Sequence, residues 1–433
     1  MVRFLISLAI AASTAAAAAP TTLPPPDGKF AVGVVRSEFV DPSRRLDADD
    51  PASGKRRMPA IVWYPAEGRT GGDVAYMTAD EAAVTPAGVA RNMGWQETEV
   101  ESMKTARVAA RANAHPARSP HGFPVVIFSH GFFLYPQQNS ALAARLASHG
   151  YIVVSIAHPR DSADVRLEDG TVVATKIAKE PEDPKVGKDV QVLGEGTDFA
   201  SVREALKGYG EALAATRFGH SLVDWREDTR AVADSIQKKN EPRALHDVLA
   251  TADRSRLAFA GMSFGGATAA TTCKLVDACR AAVNLDGQNF DPDLFDRPVG
   301  RPLLMLLSDW TRYSLFKDQR KEEDYSPNDL AFESWNEAGQ NRDVVRVRLQ
   351  GSRHVGFTDL VAMMEGPKRD DHVGEIKGDE ALAAIGDVVI AFLDAHVSGG
   401  DAAGIDRAVK RHPELTRHDP SRLKQWMSEA GQK

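Results

Sequence analysis

The sequence predicts an α/β fold, in which helices cover both faces of a mostly parallel sheet. Short apolar segments alternate with helix-like segments along most of the chain, as they do in strand–helix–strand repeats. Several of the apolar segments are uninterrupted runs of Val, Ile and Leu, which are typical of strands buried on both faces. With 433 residues, 43% of them hydrophobic, the chain is large enough to build a sizeable core.

The expected strands are the short apolar segments, and the expected helices are the segments between them with apolar residues at helical spacing. In chain order, the strands are predicted at residues 61–64, 125–128, 152–156, 257–260, 281–285, 303–307 and 344–349. Helices are predicted at residues 140–148, 226–238, 267–275 and 380–396.

Two segments interrupt this alternation. Residues 170–221 are polar and charged, with a helical run at 199–216, and form either a cap over a site or a surface excursion. Residues 80–118 are predicted to be a second, helical insertion, in which Glu97, Glu99 and Glu101 form a solvated face. We expect one domain over residues 20–399, followed by a polar tail at residues 400–433 that is helical around Leu423.

The first 19 residues are predicted to be a signal peptide. Arg3 precedes an apolar run at residues 4–12, and an alanine-rich stretch with several A-x-A sites follows. A retained membrane anchor is the alternative, although the run is short and weakly hydrophobic for a span. We therefore expect an exported protein, periplasmic or secreted, with no integral membrane span in the mature chain.

Composition and missing motifs exclude several classes of function. The formal net charge is −7 and no long basic run occurs, so no nucleic-acid partner is expected. No internal period is present, which excludes repeat, coiled-coil and collagen-like proteins. The chain has no dinucleotide glycine fingerprint, no HExxH and no CxxC, so we expect no cofactor and no metal site.

The strongest chemical signal is the sequence GMSFGG at residues 261–266. This G-x-S-x-G pattern follows the apolar run LAFA and precedes a helical pattern, which is the strand–turn–helix context of a nucleophile elbow. Glycines two residues on either side of Ser263 let the strand and the helix approach each other. Together with the strand pattern, the elbow predicts an α/β-hydrolase fold with a cap-like insertion and Ser263 as the nucleophile.

A serine nucleophile needs a base, which follows it in the chain order of this fold. Of the histidines after Ser263, only His354 lies on a loop directly after a predicted strand, so we expect it to be the base. The orienting acid stays open between Asp286 and Asp309, which follow successive strands. In many hydrolases of this fold the acid follows the later strand, which favours Asp309.

Two backbone amides are expected to form the oxyanion hole. The amide of Phe264 comes directly after the nucleophile, at the N-terminus of the predicted helix. The amide of Phe132 follows His-Gly in VVIFSHGFF, on the loop after an early strand.

These motifs resemble a known family. The segments FSHGFF, LASHGYIVVSIAHPR, GMSFGGAT, NLDG and GSRH are similar to those of the plasma-type platelet-activating factor acetylhydrolases and their bacterial dienelactone-hydrolase-like relatives. The resemblance covers residues 31–65 and 120–397. It implies Asp286 as the acid, His354 as the base, and the amides of Phe132 and Phe264 as oxyanion donors. It also implies calcium-independent ester hydrolysis, on short or oxidised sn-2 acyl chains of phospholipids in animal members.

The resemblance leaves the substrate open. Residues 170–221, 310–341 and the tail have no counterpart in the family, and the first two are expected to border the acyl pocket. We expect a serine carboxylic ester hydrolase acting on short-chain esters, with a small-molecule or lipid ester as substrate. The alternatives are a serine peptidase or amidase, a lipase acting on polyester or lipid surfaces, and a binding protein on a hydrolase scaffold. The sequence does not decide the oligomeric state.

The two cysteines, Cys273 and Cys279, are the last feature with chemical meaning. In an unbroken helix they would point to different faces, but a chain that turns back after residue 276 could join them. Because export favours oxidation, we expect a disulfide, with two buried thiols as the alternative.

Overall fold

The computed structural model describes residues 20–176, 188–189, 192, 199–288, 299–313, 343–418 and 428. The predicted signal peptide and the helix expected around Leu423 lie outside the described residues. In the described part, a ten-stranded sheet forms the centre of the molecule and helices pack on both of its faces.

The strands of the described part are numbered β1 to β14 in chain order. They are β1 (Ala31–Arg45), β2 (Lys55–Ala66), β3 (Val74–Ala75), β4 (Arg107–Val108), β5 (Arg111–Ala112), β6 (Phe123–Ser129), β7 (Ile152–Ile156), β8 (Val165–Arg166), β9 (Val172–Val173), β10 (Ala252–Met262), β11 (Cys279–Leu285), β12 (Leu303–Leu307), β13 (Val344–Leu349) and β14 (Leu415–Arg417). The main sheet has the order β14-β13-β12-β11-β10-β6-β7-β2-β1-β5. From β13 to β7 the neighbouring strands are parallel. Strand β14 pairs antiparallel with β13, and β2 pairs antiparallel with both β7 and β1, whereas the short β5 pairs parallel with β1.

The helices of the described part are numbered in the same way. They are α1 (Ala79–Ala82), α2 (Thr85–Met93), α3 (Ser102–Thr105), α4 (Ser140–Ser148), α5 (Phe199–Ala214), α6 (Arg217–Gln237), α7 (His246–Leu249), α8 (Phe264–Leu275), α9 (Trp310–Tyr313), α10 (Leu360–Met363), α11 (Arg369–Val373), α12 (Gly378–Leu393) and α13 (Ala403–Arg411). Short 3₁₀ turns at Pro136–Asn139 and His354–Phe357 border the site described below.

The central strands bury alternate residues on opposite faces of the sheet. In β6, Val126 and Phe128 join the core that includes α4 and α12, whereas Val125 and Ile127 join the core that includes α6 and α8. Because both faces are covered, every residue of this strand is buried. The predicted α/β-hydrolase fold, with a mostly parallel sheet between two helical layers, is confirmed.

Strand β1 is absent from the prediction, although it is the longest strand described. Its sequence AVGVVRSEFVDPSRR mixes apolar residues with charges and a proline, because it lies near the edge of the sheet. It pairs antiparallel with β2 over most of its length. Because β1 lies near the edge of the sheet, it lacks the continuous apolar run on which the strand prediction depends.

The expectation that residues 400–433 form a tail outside the domain is wrong for the part that ends at Arg417. Helix α13 buries Ile405 and Ala408, and β14 extends the main sheet by pairing with β13 and burying Leu415. The few apolar residues of this segment are spaced so that each one faces the core. Their small number made the segment look like a solvated tail.

The two insertions also differ from their predicted form. Helix α6 begins at Arg217 and runs without interruption to a C-terminal half that packs on the sheet, so an insertion ending at residue 221 is wrong. The acidic residues at 97–101 are not a uniformly solvated face, because Glu99 lies 3.0 Å from the imidazole of His372. Both differences arise from contacts with residues distant in the chain: the sheet contacts α6, and His372 contacts Glu99.

Within the part of the chain that the structure describes, one apolar helix has the length and hydropathy expected of a membrane span. It covers Gly378–Ser398, with a mean hydropathy of 1.6, and 61% of its most apolar window is buried inside the protein. The segment is α12 together with the π turn Asp394–Ser398, and it packs in the core with α4. Packing in the core explains the apolar composition of this helix.

Candidate active site

Ser263 lies on a strained turn between β10 and α8. Its φ of 56° and ψ of −121° are rarely adopted by residues other than glycine. Close backbone approach explains the neighbouring glycine: a Cβ atom added at Gly265 would lie 2.2 Å from the carbonyl oxygen of Ser129. The turn therefore presents the Ser263 hydroxyl at the carboxyl edge of the sheet.

The imidazole of His354 connects this serine to a carboxylate. His354 opens the 3₁₀ turn after β13, and its Nε2 lies 2.7 Å from Ser263 Oγ. Its Nδ1 lies 2.7 Å from Asp286 Oδ2. With the proton on Nδ1 held by the carboxylate, Nε2 is free to accept the serine proton.

Asp286 is itself held in place. It follows β11 with a φ of 58°, and its Oδ1 accepts a hydrogen bond from the backbone N–H of Ser308 at 2.6 Å. Both carboxylate oxygens thus have a partner of fixed direction. The side chain is nearly buried, whereas that of His354 is half exposed.

Asp309, the other candidate acid, occupies a different position. Its Oδ2 accepts a hydrogen bond from the N–H of Gly351 at 2.9 Å, and its own N–H donates to the carbonyl of Ser352 at 2.9 Å. It therefore holds the turn that leads to His354. Of the two carboxylates, Asp286 is the one that the structure places against the imidazole.

The loop after β6 lies directly against the serine turn. A Cβ atom added at Gly131 would lie 3.2 Å from Ser263 Cβ, so the backbone of this loop and the elbow are in contact. The N–H of Gly131 donates to Gln138 Oε1 at 2.9 Å, and that of Phe133 to the carbonyl of Asp161 at 2.8 Å. Within the described part of the chain, no group accepts from the N–H of Phe132, which lies between them.

Phe264, the other predicted oxyanion donor, is the first residue of α8. The N-terminal N–H groups of a helix carry a partial positive charge and attract anions. The rings of Phe132 and Phe264 lie 5.1 Å apart. The two predicted donors therefore belong to neighbouring residues on either side of the serine turn.

An aromatic wall extends from these two residues onto α6. The ring of Phe218 stacks on Phe132 at 4.8 Å, and Trp225 contacts Phe264 at 4.8 Å. Leu222 is buried in the same cluster. Sequence analysis missed this wall, although apolar residues at 218, 222 and 225 have the spacing of one helix face.

Behind the loop lies a buried charged network that sequence analysis also missed. The carboxylate of Asp228, on α6, binds Arg56 through both oxygens at 2.9 and 2.6 Å and Arg44 at 2.5 Å. Burial opposes its ionisation, but Arg56 and His158 hold the pKa of Asp228 well below its usual range. His158 lies 2.9 Å from Asp228 through Nδ1 and 3.0 Å from Ser129 Oγ through Nε2.

Cys273 and Cys279 are joined by a disulfide, with their Cα atoms 5.3 Å apart. The bridge connects the last turn of α8 to the first residue of β11. Ser263 precedes the other end of α8, and Asp286 follows the other end of β11. The bridge thus links the two elements that carry these side chains. Among the described residues, no group of three or more His, Cys, Asp or Glu is arranged to hold a metal ion.

The chain is similar to several known proteins. The family model described as "Platelet-activating factor acetylhydrolase, isoform II" matches residues 21–410. A platelet-activating factor acetylhydrolase from Canis lupus familiaris is 24% identical over 352 residues, which are 78% of this chain and 71% of the relative. One from Cavia porcellus is 23% identical over 424 residues, which are 93% of this chain and 83% of the relative.

A solved structure shares the fold. The ferulic acid esterase from Streptomyces cinnamoneus superposes with a TM-score of 0.65 at 21% sequence identity. The alignment covers 93% of this chain and 100% of that one.

Proposed function

Because the chain belongs to the platelet-activating factor acetylhydrolase isoform II family, we propose that it is an exported serine hydrolase of short-chain carboxylic esters. Ser263, His354 and Asp286 are its catalytic residues. The observation that supports this assignment is the pair of 2.7 Å contacts that join the serine, the imidazole and the carboxylate. This arrangement can turn a weakly nucleophilic hydroxyl into a nucleophile at neutral pH.

The reaction starts with proton transfer from Ser263 Oγ to His354 Nε2. As the proton leaves, the serine oxygen attacks the ester carbonyl carbon, and the π electrons of the carbonyl move onto its oxygen. The C–O bond to the alcohol then breaks, and His354 delivers the proton to the departing oxygen. This leaves the acyl group on Ser263 and releases the alcohol.

Deacylation repeats these steps with water as the nucleophile. His354 removes a proton from a water molecule, which attacks the acyl carbonyl, and then returns that proton to Ser263 Oγ as the acid departs. Asp286 keeps the imidazole in one tautomer and stabilises its protonated form in both halves. The backbone N–H groups of Phe132 and Phe264 stabilise the oxyanion.

The aromatic wall supports an apolar acyl group. Rings from Phe132, Phe218 and Phe264 form a continuous apolar cluster beside the proposed oxyanion donors. An apolar acyl chain or an aromatic acid gains free energy by burial against such a surface. A short sn-2 acyl group of a phospholipid fits this apolar surface.

Export is the other part of the proposal. Residues 1–19 act as the signal peptide, and the disulfide between Cys273 and Cys279 is stable outside the reducing cytoplasm. The hydrolase domain then begins near residue 20 and includes α5 and the first half of α6, which carries Phe218, as a cap.

The test is hydrolysis of a chromogenic ester series from acetyl to palmitoyl, with methyl ferulate added and a chelator present throughout. Ser263→Ala is measured alongside Ser255→Ala, a control at the far end of β10, where Ser255 bonds to Asp253. We expect hydrolysis confined to short or aromatic acyl groups, unchanged by chelator, lost in Ser263→Ala and retained in Ser255→Ala.

Other outcomes would replace the proposal with a specific alternative. A preference for long chains that rises above the aggregation point of the substrate would indicate a lipase. Hydrolysis of an amide but not of the matched ester would indicate an amidase or peptidase. Unchanged turnover by folded Ser263→Ala would refute the serine mechanism.

A further inference from the structure

The predicted oxyanion donor on the loop after β6 belongs to a peptide unit whose other end is held by two hydrogen bonds. The N–H of Phe132 and the carbonyl of Gly131 lie in one planar trans peptide, so they point in opposite directions. The Gly131 carbonyl accepts from His130 Nδ1 at 2.7 Å and from the N–H of Leu134 at 3.0 Å. Whatever fixes this carbonyl therefore fixes the direction of the Phe132 N–H.

The hydrogen-bond pattern around His130 allows one neutral tautomer. The backbone N–H of His158 donates to His130 Nε2 at 3.1 Å, so Nε2 must carry a lone pair. The ring proton is then on Nδ1, where it is donated to the carbonyl of Gly131. Burial, together with nearby His158, lowers the pKa of His130 to about 3, which keeps the ring neutral.

A buried assembly holds the His130 ring from behind. The rings of His158 and Trp225 lie 5.3 and 4.9 Å from it, and they stack on each other at 3.9 Å. His158 is oriented in turn by Asp228, whose charge is balanced by Arg56. The two residues from α6, Trp225 and Asp228, thus connect the helix beside the site to the peptide of the loop.

We propose that His130 is a positioning residue that orients the Gly131–Phe132 peptide, so that the Phe132 N–H faces the oxyanion of the reacting ester. The amide of His158 selects the tautomer of His130 that can do this. His130 does not touch the substrate and takes no proton in the reaction. This inference rests on the proposed ester hydrolysis and deepens it, because it assigns the geometry of one oxyanion donor to a side chain outside the triad.

The first experiment compares His130→Asn with His130→Leu. The two side chains have the same number of heavy atoms and the same branching at Cγ, but only the Asn amide can still donate to the Gly131 carbonyl. Each variant is assayed on an oxygen ester and on the thionoester with the same acyl and alcohol groups. Attack on the oxygen ester places negative charge on oxygen, whereas attack on the thionoester places it on sulfur, which is larger and a weaker hydrogen-bond acceptor. Loss of an oxyanion-hole donor should therefore slow hydrolysis of the oxygen ester more.

We expect His130→Leu to lower kcat for the oxygen ester by up to about 100-fold, approaching the effect of removing one oxyanion donor. The same variant should lower kcat for the thionoester by less than about three-fold, with KM little changed for both substrates. His130→Asn should regain most of the lost rate. Equal losses on both substrates, or equal rates for the two variants, would overturn the proposal.

A second measurement uses the unmodified protein and therefore does not depend on the folding of a variant. In protein labelled with ¹⁵N-histidine, the ring nitrogen shifts identify the tautomer of each neutral imidazole. We expect His130, assigned by its contact to Trp225, to give a neutral Nδ1–H signal that does not titrate. An Nε2–H tautomer would overturn the proposal. Neither tautomer depends on catalysis, so this result stays separate from failure of the ester-hydrolase proposal, which would appear as absent turnover in the unmodified protein.

Discussion

Replacing Asp286 by Asn is expected to lower kcat for ester hydrolysis by about 10⁴-fold, with KM changed by less than about three-fold. The reason is the direction of one backbone hydrogen bond. The N–H of Ser308 donates to Asp286 Oδ1 at 2.6 Å, and an Asn side chain must place its oxygen there to avoid two facing donors. Its NH₂ group then occupies the position 2.7 Å from His354 Nδ1.

This geometry reverses the tautomer of the base. Facing a donor, Nδ1 of His354 must become the acceptor, so the ring proton moves to Nε2 and points at Ser263 Oγ. An imidazole in that state cannot accept the serine proton. The loss of about 10⁴-fold is therefore a loss of general-base catalysis, about 5 kcal/mol in the activation free energy.

The assay is steady-state hydrolysis of a short chromogenic ester, with thermal unfolding of each variant measured in parallel. Asp309→Asn is the matched control, because its oxygen can still accept from the N–H of Gly351, and the imidazole of His354 contacts Asp286 instead. We expect that control to retain kcat within about ten-fold. Loss of activity in Asp309→Asn with an active Asp286→Asn would refute the reasoning.

Three further perturbations test other parts of the structure. Gly265→Ala should lower the free energy of unfolding by at least about 2 kcal/mol and also reduce kcat, because the added Cβ would lie 2.2 Å from the carbonyl oxygen of Ser129. Urea unfolding measures the first effect, and ester hydrolysis measures the second. Replacing Cys273 and Cys279 by Ala should cost about 2 kcal/mol, as expected for closing a loop of this length, and is measured in the same way. Burial raises the pKa of Asp359 well above its usual range, so the folded state keeps a proton that the unfolded state releases above about pH 4. The free energy of unfolding should therefore fall with rising pH relative to Asp359→Asn, by up to about 1.4 kcal/mol per pH unit.

Each of these predictions has a control and a contradicting result. Gly404→Ala lies in helix α13 with no neighbour closer than 3.6 Å, so it should be neutral or stabilising, and a similar loss there would contradict the steric argument. An unchanged free energy of unfolding in the variant with Ala at both cysteine positions would contradict a stabilising role for the disulfide. A pH-independent difference between the unmodified protein and Asp359→Asn would contradict a proton held by Asp359.

Local patterns were sufficient to predict the sheet and the serine turn. Residues 152–156 and 303–307 form strands with the predicted bounds, because a strand buried on both faces needs a largely apolar run. Residues 344–349 also form a strand with the predicted bounds, although Arg346 and Arg348 interrupt its apolar sequence. The turn at Ser263 could be predicted because the strand, the glycines and the helix follow one another directly in the chain. Its contact with His354 required only that both lie at the carboxyl edge of parallel strands.

Features that depend on contacts between distant segments of the chain could not be predicted from local sequence patterns. The partners of Asp228 come from β1, from β2 and from the loop after β7, and no local pattern connects them. One signal was available for His158: like His130, it follows a predicted strand at the carboxyl edge of the sheet. Phe218 and Trp225 of the aromatic wall were missed because the insertion was assigned a boundary inside α6.

The most direct test of the central claim is covalent labelling of the folded protein with a fluorophosphonate, followed by peptide mapping. An activated serine reacts with this probe, whereas ordinary serines do not. We expect one label per chain on Ser263, with labelling lost in His354→Ala and slowed in Asp286→Asn. An unlabelled folded protein, or a label on another serine such as Ser129 beside His158, would contradict the account.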